Sequence, residues 1–121
     1  MIENRPWGNY EVLLDEPNYK LKRIMVNQGH QLSYQSHEKR DEHWTIVSGT
    51  AEITIDGNRY LGLAGTHFHI PSGVKHRIKA LLDGNAPVVF IEVQTGTYFG
   101  EDDIIRYEDD YHRVSKLNYD C

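Results

Sequence analysis

Apolar and polar residues alternate at period two along most of the chain, the spacing that turns one face of a strand inward and the other to water. Residues 20–26 set Leu21, Arg23 and Met25 against Lys22, Ile24 and Val26, and residues 51–56 set Ala51, Ile53 and Ile55 against Glu52, Thr54 and Asp56. The same pattern predicts strands over 12–14, 32–36, 42–47, 50–55, 59–63, 66–70, 76–82 and 87–94. Asp56-Gly57 predicts a tight hairpin, because both central positions of such a turn require positive φ. Other breakers (Gly29, Gly49, Gly65, Pro71-Ser72-Gly73, Asp83-Gly84-Asn85) recur about every ten residues, the rhythm of all-β sandwiches and barrels. Residues 1–10, with Arg5-Pro6-Trp7-Gly8, read as an irregular entry anchored by its aromatic ring, and residues 100–111 as one or two helical turns capped by Asp102. No repeat or linker interrupts the pattern, so 1–121 is expected to form one domain.

Composition narrows the classes of function. A chain of 121 residues suits one core, burying roughly two-thirds of its unfolded surface without staples. No apolar run approaches the ~20 residues of a membrane span, and Met1-Ile2-Glu3-Asn4 does not read as a signal peptide. Thirteen basic against eighteen acidic residues leave a net charge of −5, which disfavours nucleic acid and anionic membranes as partners. The single cysteine, Cys121, forms no internal disulfide and suits a reducing cytoplasm. Seven histidines and eight tyrosines exceed what packing needs and point to chemistry.

Two segments concentrate that chemistry. In the first, Gly29-x5-Gln35-x-His37-x4-Glu42-x6-Gly49, Gln35 and His37 share one strand face, while Glu42 lies at the opposite parity unless the polar insert Glu38-Lys39-Arg40-Asp41 turns the chain. In the second, Gly65-x5-Pro71-x-Gly73-x2-His76, a Pro/Gly turn delivers His76 to the start of a strand. Two imidazoles, a carboxylate and an amide oxygen converging inside a barrel make a divalent-metal site with positions left for a substrate.

Both segments resemble the two motifs of the cupin superfamily, with Gln35 in place of the usual first His and Ala80 in place of the final Asn. Arg5-Pro6-Trp7-Gly8, the stretch from Leu32 to His37, Arg40-Asp41-Glu42-His43-Trp44, Ile91-Glu92-Val93-Gln94-Thr95-Gly96 and Gly100-Glu101-Asp102-Asp103-Ile104 narrow the likeness to the type II phosphomannose isomerases. There the domain is usually the C-terminal part of a bifunctional enzyme that also carries mannose-1-phosphate guanylyltransferase; the residues here resemble the isomerase part. Tyr34, Asp41 and His112 depart from the family's usual residues, none of them at a presumed ligand. The resemblance implies a cupin-type double-stranded β-helix (a jelly-roll barrel), here with a short C-terminal helical turn. It also implies one divalent ion, zinc ahead of manganese, cobalt, nickel or iron, held by Gln35, His37, Glu42 and His76.

Other side chains carry two readings each. Arg40 is either a solvated loop residue or, lying between two ligands near the barrel mouth, a fork for phosphate and a catalytic group. Lys22 and Arg113 are further phosphate candidates, with Arg113 alternatively a salt-bridge partner of the acidic run. Glu92 shares a face with Gln94 and becomes a general acid/base if that face lines the cavity. His43 is expected to pack away from Glu42, His67 and His69 to be exposed, and His30 to lie in solvent. Trp7 and Trp44 read as core, and Glu101-Asp102-Asp103 as a solvated cap. The leading expectation is isomerisation of mannose 6-phosphate to fructose 6-phosphate; the alternatives are a carbohydrate-binding module or another small-molecule cupin enzyme such as an oxygenase. A homodimer paired through edge strands is expected, because an open sheet edge is a liability.

Overall fold

The computed structural model describes residues 1–82 and 86–111, and its strands run β1 Ile2–Arg5, β2 Gly8–Asp15, β3 Tyr19–Val26, β4 Tyr34–Ser36, β5 Arg40–Ser48, β6 Ala51–Ile55, β7 Asn58–Gly62, β8 His67–Ile70, β9 His76–Ala80, β10 Val88–Gly96 and β11 Ile105–Glu108. They form two antiparallel sheets, ordered β1-β2-β3-β10-β5-β8 and β11-β4-β9-β6-β7. Among the described residues no helix is long and apolar enough to cross a membrane.

The period-two alternation seen in the sequence runs the whole length of the central strands, and it buries two chemically different halves. At one end of the inner face, Ile24 and Val26 of β3, Trp44 and Ile46 of β5 and Val88 and Phe90 of β10 meet Ala51, Ile53, Ile78 and Ala80 of the other sheet. Phe90 stands opposite Ile24 on one side and Ile46 on the other. At the other end the same three strands turn inward Lys22, Arg40, Glu42, Glu92 and Gln94, all buried. Register sets Glu92 opposite both Lys22 and Trp44, and Gln94 opposite Glu42. Buried charges are costly unless paired, so the packed apolar half supplies the stability and the polar half requires mutual satisfaction.

Turn chemistry follows the sequence at two places. Asp56 (φ 51°) and Gly57 (φ 79°) join β6 to β7 with Ile55 opposite Asn58, as the Asp-Gly pair requires. Gly49, at φ 85°, turns β5 into β6 where a Cβ would lie 2.4 Å from the Pro87 carbonyl oxygen.

Two expectations are corrected. Residues 1–10 are not irregular: β1 and the start of β2 form a hairpin around Pro6-Trp7, with Arg5 opposite Gly8. The expected helical turn over 100–111 is a single hydrogen-bonded turn, the Asp103 amide donating to the Gly100 carbonyl at 3.2 Å, followed by β11. The β-branched pair Ile104-Ile105 suits an extended chain, and β4 offers an edge that Ile105 and Arg106 pair with opposite Ser36 and Gln35.

Candidate metal centre

The polar half of the inner face closes on a cavity of about 80 Å³ whose lining includes Lys22, Gln35, Arg40, Glu42, Trp44 and Glu92. Strand β4 presents Gln35, and register places it opposite His76 at the start of β9. The chain leaves β4 through His37 and turns at Glu38-Lys39, whose amides donate to the Asp103 carboxylate at 3.2 and 3.0 Å. That turn resets the parity, so β5 begins with Arg40 and Glu42 both facing inward. Arg40 is therefore not a loop residue but the first residue of a strand, 5% exposed.

His37, Glu42 and His76 each offer a donor atom, and these atoms lie within 4.8 Å of one another. His37 Nδ1 is 3.3 Å from Glu42 Oε2, and His76 Nε2 is 3.5 Å from Glu42 Oε1. Those separations match the roughly 3.4 Å between neighbouring ligands around a tetrahedral ion with bonds of about 2.1 Å. His76 Nδ1 donates to the Val74 carbonyl at 2.9 Å, which fixes the tautomer and leaves the Nε2 lone pair facing Glu42. His37 Nδ1 and His76 Nε2 are buried without a hydrogen-bond partner among the described residues, as donor atoms for an ion would be. A guanidinium can only donate, so with Arg40 Nη2 2.9 Å from His37 Nε2 and 2.8 Å from Glu42 Oε2, His37 Nε2 accepts and its Nδ1 carries the ring proton toward Glu42; Nδ1 becomes a ligand atom when Arg40 withdraws and the ring proton moves to Nε2. The donor set thus fits a divalent ion. Gln35 lines the same cavity and donates its amide N–H to the Ser33 carbonyl at 3.4 Å, which leaves its amide oxygen as the acceptor.

The electrostatics divide the two buried carboxyls. Burial alone would raise Glu42, but His76, His37 and Arg40 hold it well below the ordinary carboxylate range. For Glu92, burial and the charge of Glu42 win over Lys22 and Arg40, and its pKa is pushed up to about 7. Burial lowers His37 to about 4 despite Glu42, with Arg40 and His76 adding to the effect. His76 is also penalised by burial, yet its contacts with Glu42 raise it above the usual imidazole value.

Lys22 lies in the cavity as expected, 4% exposed, with Nζ 4.5 Å from the centre of the Tyr10 ring. Arg113 falls outside the described residues. His43 packs away from the cavity and stacks on His69 with ring centres 4.6 Å apart; His67 and His69 are exposed. His30 is corrected: it is half-buried, stacked on Tyr111 and bonded to its hydroxyl at 2.6 Å. The acidic run is more than a solvated cap, because Glu101 Oε2 accepts from Lys22 Nζ at 3.0 Å and lies 3.9 Å from Arg40 Nη1. Burial works upward on Glu101, and Lys22 and Arg40 hold its pKa below the ordinary value. Nothing in the local sequence distinguishes Glu101 from its acidic neighbours; only the fold brings it to the mouth of the cavity.

The family model described as mannose-6-phosphate isomerase C-terminal matches residues 2–109. The xanthan biosynthesis protein XanB of Xanthomonas campestris pv. campestris (strain B100) is 47% identical over 110 residues, covering 91% of this chain and 23% of that protein. A mannose-1-phosphate guanylyltransferase of Escherichia coli K12 is 43% identical over 110 residues, again 91% of this chain and 23% of the relative. The chain thus spans less than a quarter of the length of these curated relatives. Among solved structures, an RmlC-like cupin from Shewanella frigidimarina superposes with a TM-score of 0.71 at 19% identity, over 84% of this chain and 86% of that one. A likeness at that identity speaks for the fold, and the fold is that of a cupin.

Proposed function

The chain belongs to the mannose-6-phosphate isomerase C-terminal family, and from that premise we propose that it is a metal-dependent aldose–ketose isomerase that converts mannose 6-phosphate to fructose 6-phosphate. One observation carries the reading. Glu42 of the His37–Glu42–His76 donor set lines one cavity together with a carboxyl at Glu92 poised near neutrality and the buried cations Lys22 and Arg40.

Each chain residue then has a task. Glu92, with a pKa of about 7, exchanges a proton readily at neutral pH. It takes the proton from C2 of the open-chain aldose and returns it to C1, while the O2 hydroxyl proton passes to O1, so the sugar is isomerised with no net gain or loss. Trp44 and Gln94 hold the Glu92 carboxyl in place through hydrogen bonds of 3.0 and 2.7 Å. Arg40 and Lys22 supply the positive charge that a phosphate needs at the far end of the sugar. Gln35, His37, Glu42 and His76 would hold a divalent ion, which when bound would supply Lewis acidity and positive charge toward the sugar oxygens.

The experiment is incubation of the purified chain with mannose 6-phosphate, with and without added zinc or manganese, and assay of fructose 6-phosphate. Product that depends on the ion supports the isomerase; no product with any divalent ion overturns it. The expected pairing of two copies through a sheet edge is supported by the open edge of β7, where Tyr60 and Leu61 are exposed, and sedimentation at several concentrations tests it.

A further inference from the structure

The cations of the cavity are not equally served. Lys22 Nζ is buried and hydrogen-bonded to Glu101 Oε2 at 3.0 Å. Arg40 places Nε and Nη2 on Glu42 Oε2, while its Nη1 is buried without a hydrogen-bond partner among the described residues. The nearest carboxylate oxygen to that Nη1 belongs again to Glu101, at 3.9 Å, beyond hydrogen-bond reach. Glu101 itself is not locked into the core: its side chain is 56% exposed, on the turn at 100–103 over the cavity mouth. One small anion at the mouth therefore satisfies one of two buried cationic groups and leaves the other's donor empty.

A phosphoryl group has three acceptor oxygens and up to two negative charges. It can accept from Lys22 Nζ and from Arg40 Nη1 together, which the Glu101 carboxylate does not do. It also cannot share that place with Glu101, because two anions on one ammonium repel at close range. We propose that Glu101 is an internal stand-in for the substrate's phosphoryl group: it neutralises Lys22 in the free protein and is displaced when a phosphorylated sugar enters. Glu101 is thereby a specificity residue. A neutral sugar lacks the charge to dislodge it, whereas a phosphate ester exchanges one counter-ion for a stronger one. This inference rests on the sugar-phosphate reading above, and its test does not need turnover.

The test titrates inorganic phosphate, mannose 6-phosphate and mannose into the full chain by calorimetry, comparing wild type with Glu101→Gln, Asp102→Asn, Lys22→Met and the double variant Glu101→Gln/Lys22→Met. Asp102 is exposed, sits next to Glu101 on the same turn and bonds the Tyr98 hydroxyl, so Asp102→Asn removes the same charge without touching Lys22. Glu101→Gln is expected to tighten inorganic phosphate and mannose 6-phosphate by about tenfold or more, the scale of one charge-assisted contact no longer contested. Mannose affinity and the Asp102→Asn variant should be unchanged, and Lys22→Met should abolish the gain in the double variant. Equal tightening by Asp102→Asn would reduce the effect to net charge and overturn the proposal. So would equal tightening of mannose, unchanged phosphate affinity in Glu101→Gln, or a gain that survives Lys22→Met. If phosphate tightens as expected while no variant forms fructose 6-phosphate, the stand-in holds and the isomerase reading falls. If wild type isomerises while phosphate affinity ignores Glu101, the stand-in falls alone.

Discussion

Glu42 and Glu92 share one hydrogen-bond donor: the indole N–H of Trp44 lies 3.2 Å from Glu42 Oε1 and 3.0 Å from Glu92 Oε1. Two buried carboxylates at this separation cannot both ionise freely, and their environments have split them, Glu42 downward and Glu92 up to about 7. Trp44→Phe keeps most of the ring but removes the donor that favours the charged forms. The variant should lose about 1–3 kcal/mol of stability, and the Glu92 pKa should rise further. Denaturant unfolding and carboxyl-carbon NMR titration check the two effects.

Glu92 also makes stability depend on pH. Unfolded, it loses its proton near 4.5, and folded near 7, so between those values the folded state binds more protons and its stability falls as pH rises. Glu92→Gln should remove that slope, and the difference between wild type and variant should amount to roughly 3 kcal/mol across the window, favouring the variant above pH 7. His37, lowered to about 4, contributes the opposite slope in both proteins and cancels, so the difference curve reports Glu92 together with its charge coupling to Glu42 and His76. Chemical denaturation at intervals from pH 4 to 8 measures it. Fructose 6-phosphate formation should be lost in the variant at every pH.

Metal affinity should weaken in acid. Both imidazoles must be neutral to coordinate, and His76, raised by Glu42, is the first of the two to take up a proton as the pH falls. Competition with a chelating dye from pH 5 to 8 should show affinity falling with pH from near neutrality, and a flat profile would remove the imidazole ligands. His37→Ala should abolish tight binding and product formation together.

Arg40 has a structural and a functional role that one variant can separate. Its ion pair with Glu42 is buried, so Arg40→Ala should cost about 3–5 kcal/mol by leaving a carboxylate uncompensated. On mannose 6-phosphate kcat/KM should fall about tenfold to two-hundredfold, with little selective effect on unphosphorylated mannose. Arg40→Lys should recover part of the stability and less of the activity, because an ammonium keeps the charge but loses the fork.

Gly49→Ala tests the fold without touching the cavity. The φ of 85° and a Cβ placed 2.4 Å from the Pro87 oxygen and 2.8 Å from Val88 Cα leave no room for a methyl group. A loss of at least about 2 kcal/mol in thermal or chemical unfolding is expected.

The alternation of Lys22, Ile24 and Val26, the shared face of Gln35 and His37, and the Asp56-Gly57 hairpin are legible along the chain because each depends only on neighbours in one strand or turn. The sequence by itself thus determined the all-β pattern and named the candidate donors, but it left Glu42 inward only if the chain turned before it, and that turn is held by the Asp103 carboxylate 65 positions away from Glu38. Tertiary structure decided what needs a partner from elsewhere. Residues 2–5 become a strand because β2 folds back onto them, and Ile105–Glu108 becomes one because β4 has a free edge. Arg40 is buried because Glu42 and His37 receive its guanidinium. Glu92 is poised near neutrality because burial sets it beside another carboxylate, and Glu101 reaches Lys22 across 79 positions of sequence. Periodicity is a property of one segment, whereas a pKa or a counter-ion depends on the distances between side chains of different segments, which exist only once the sheets have closed.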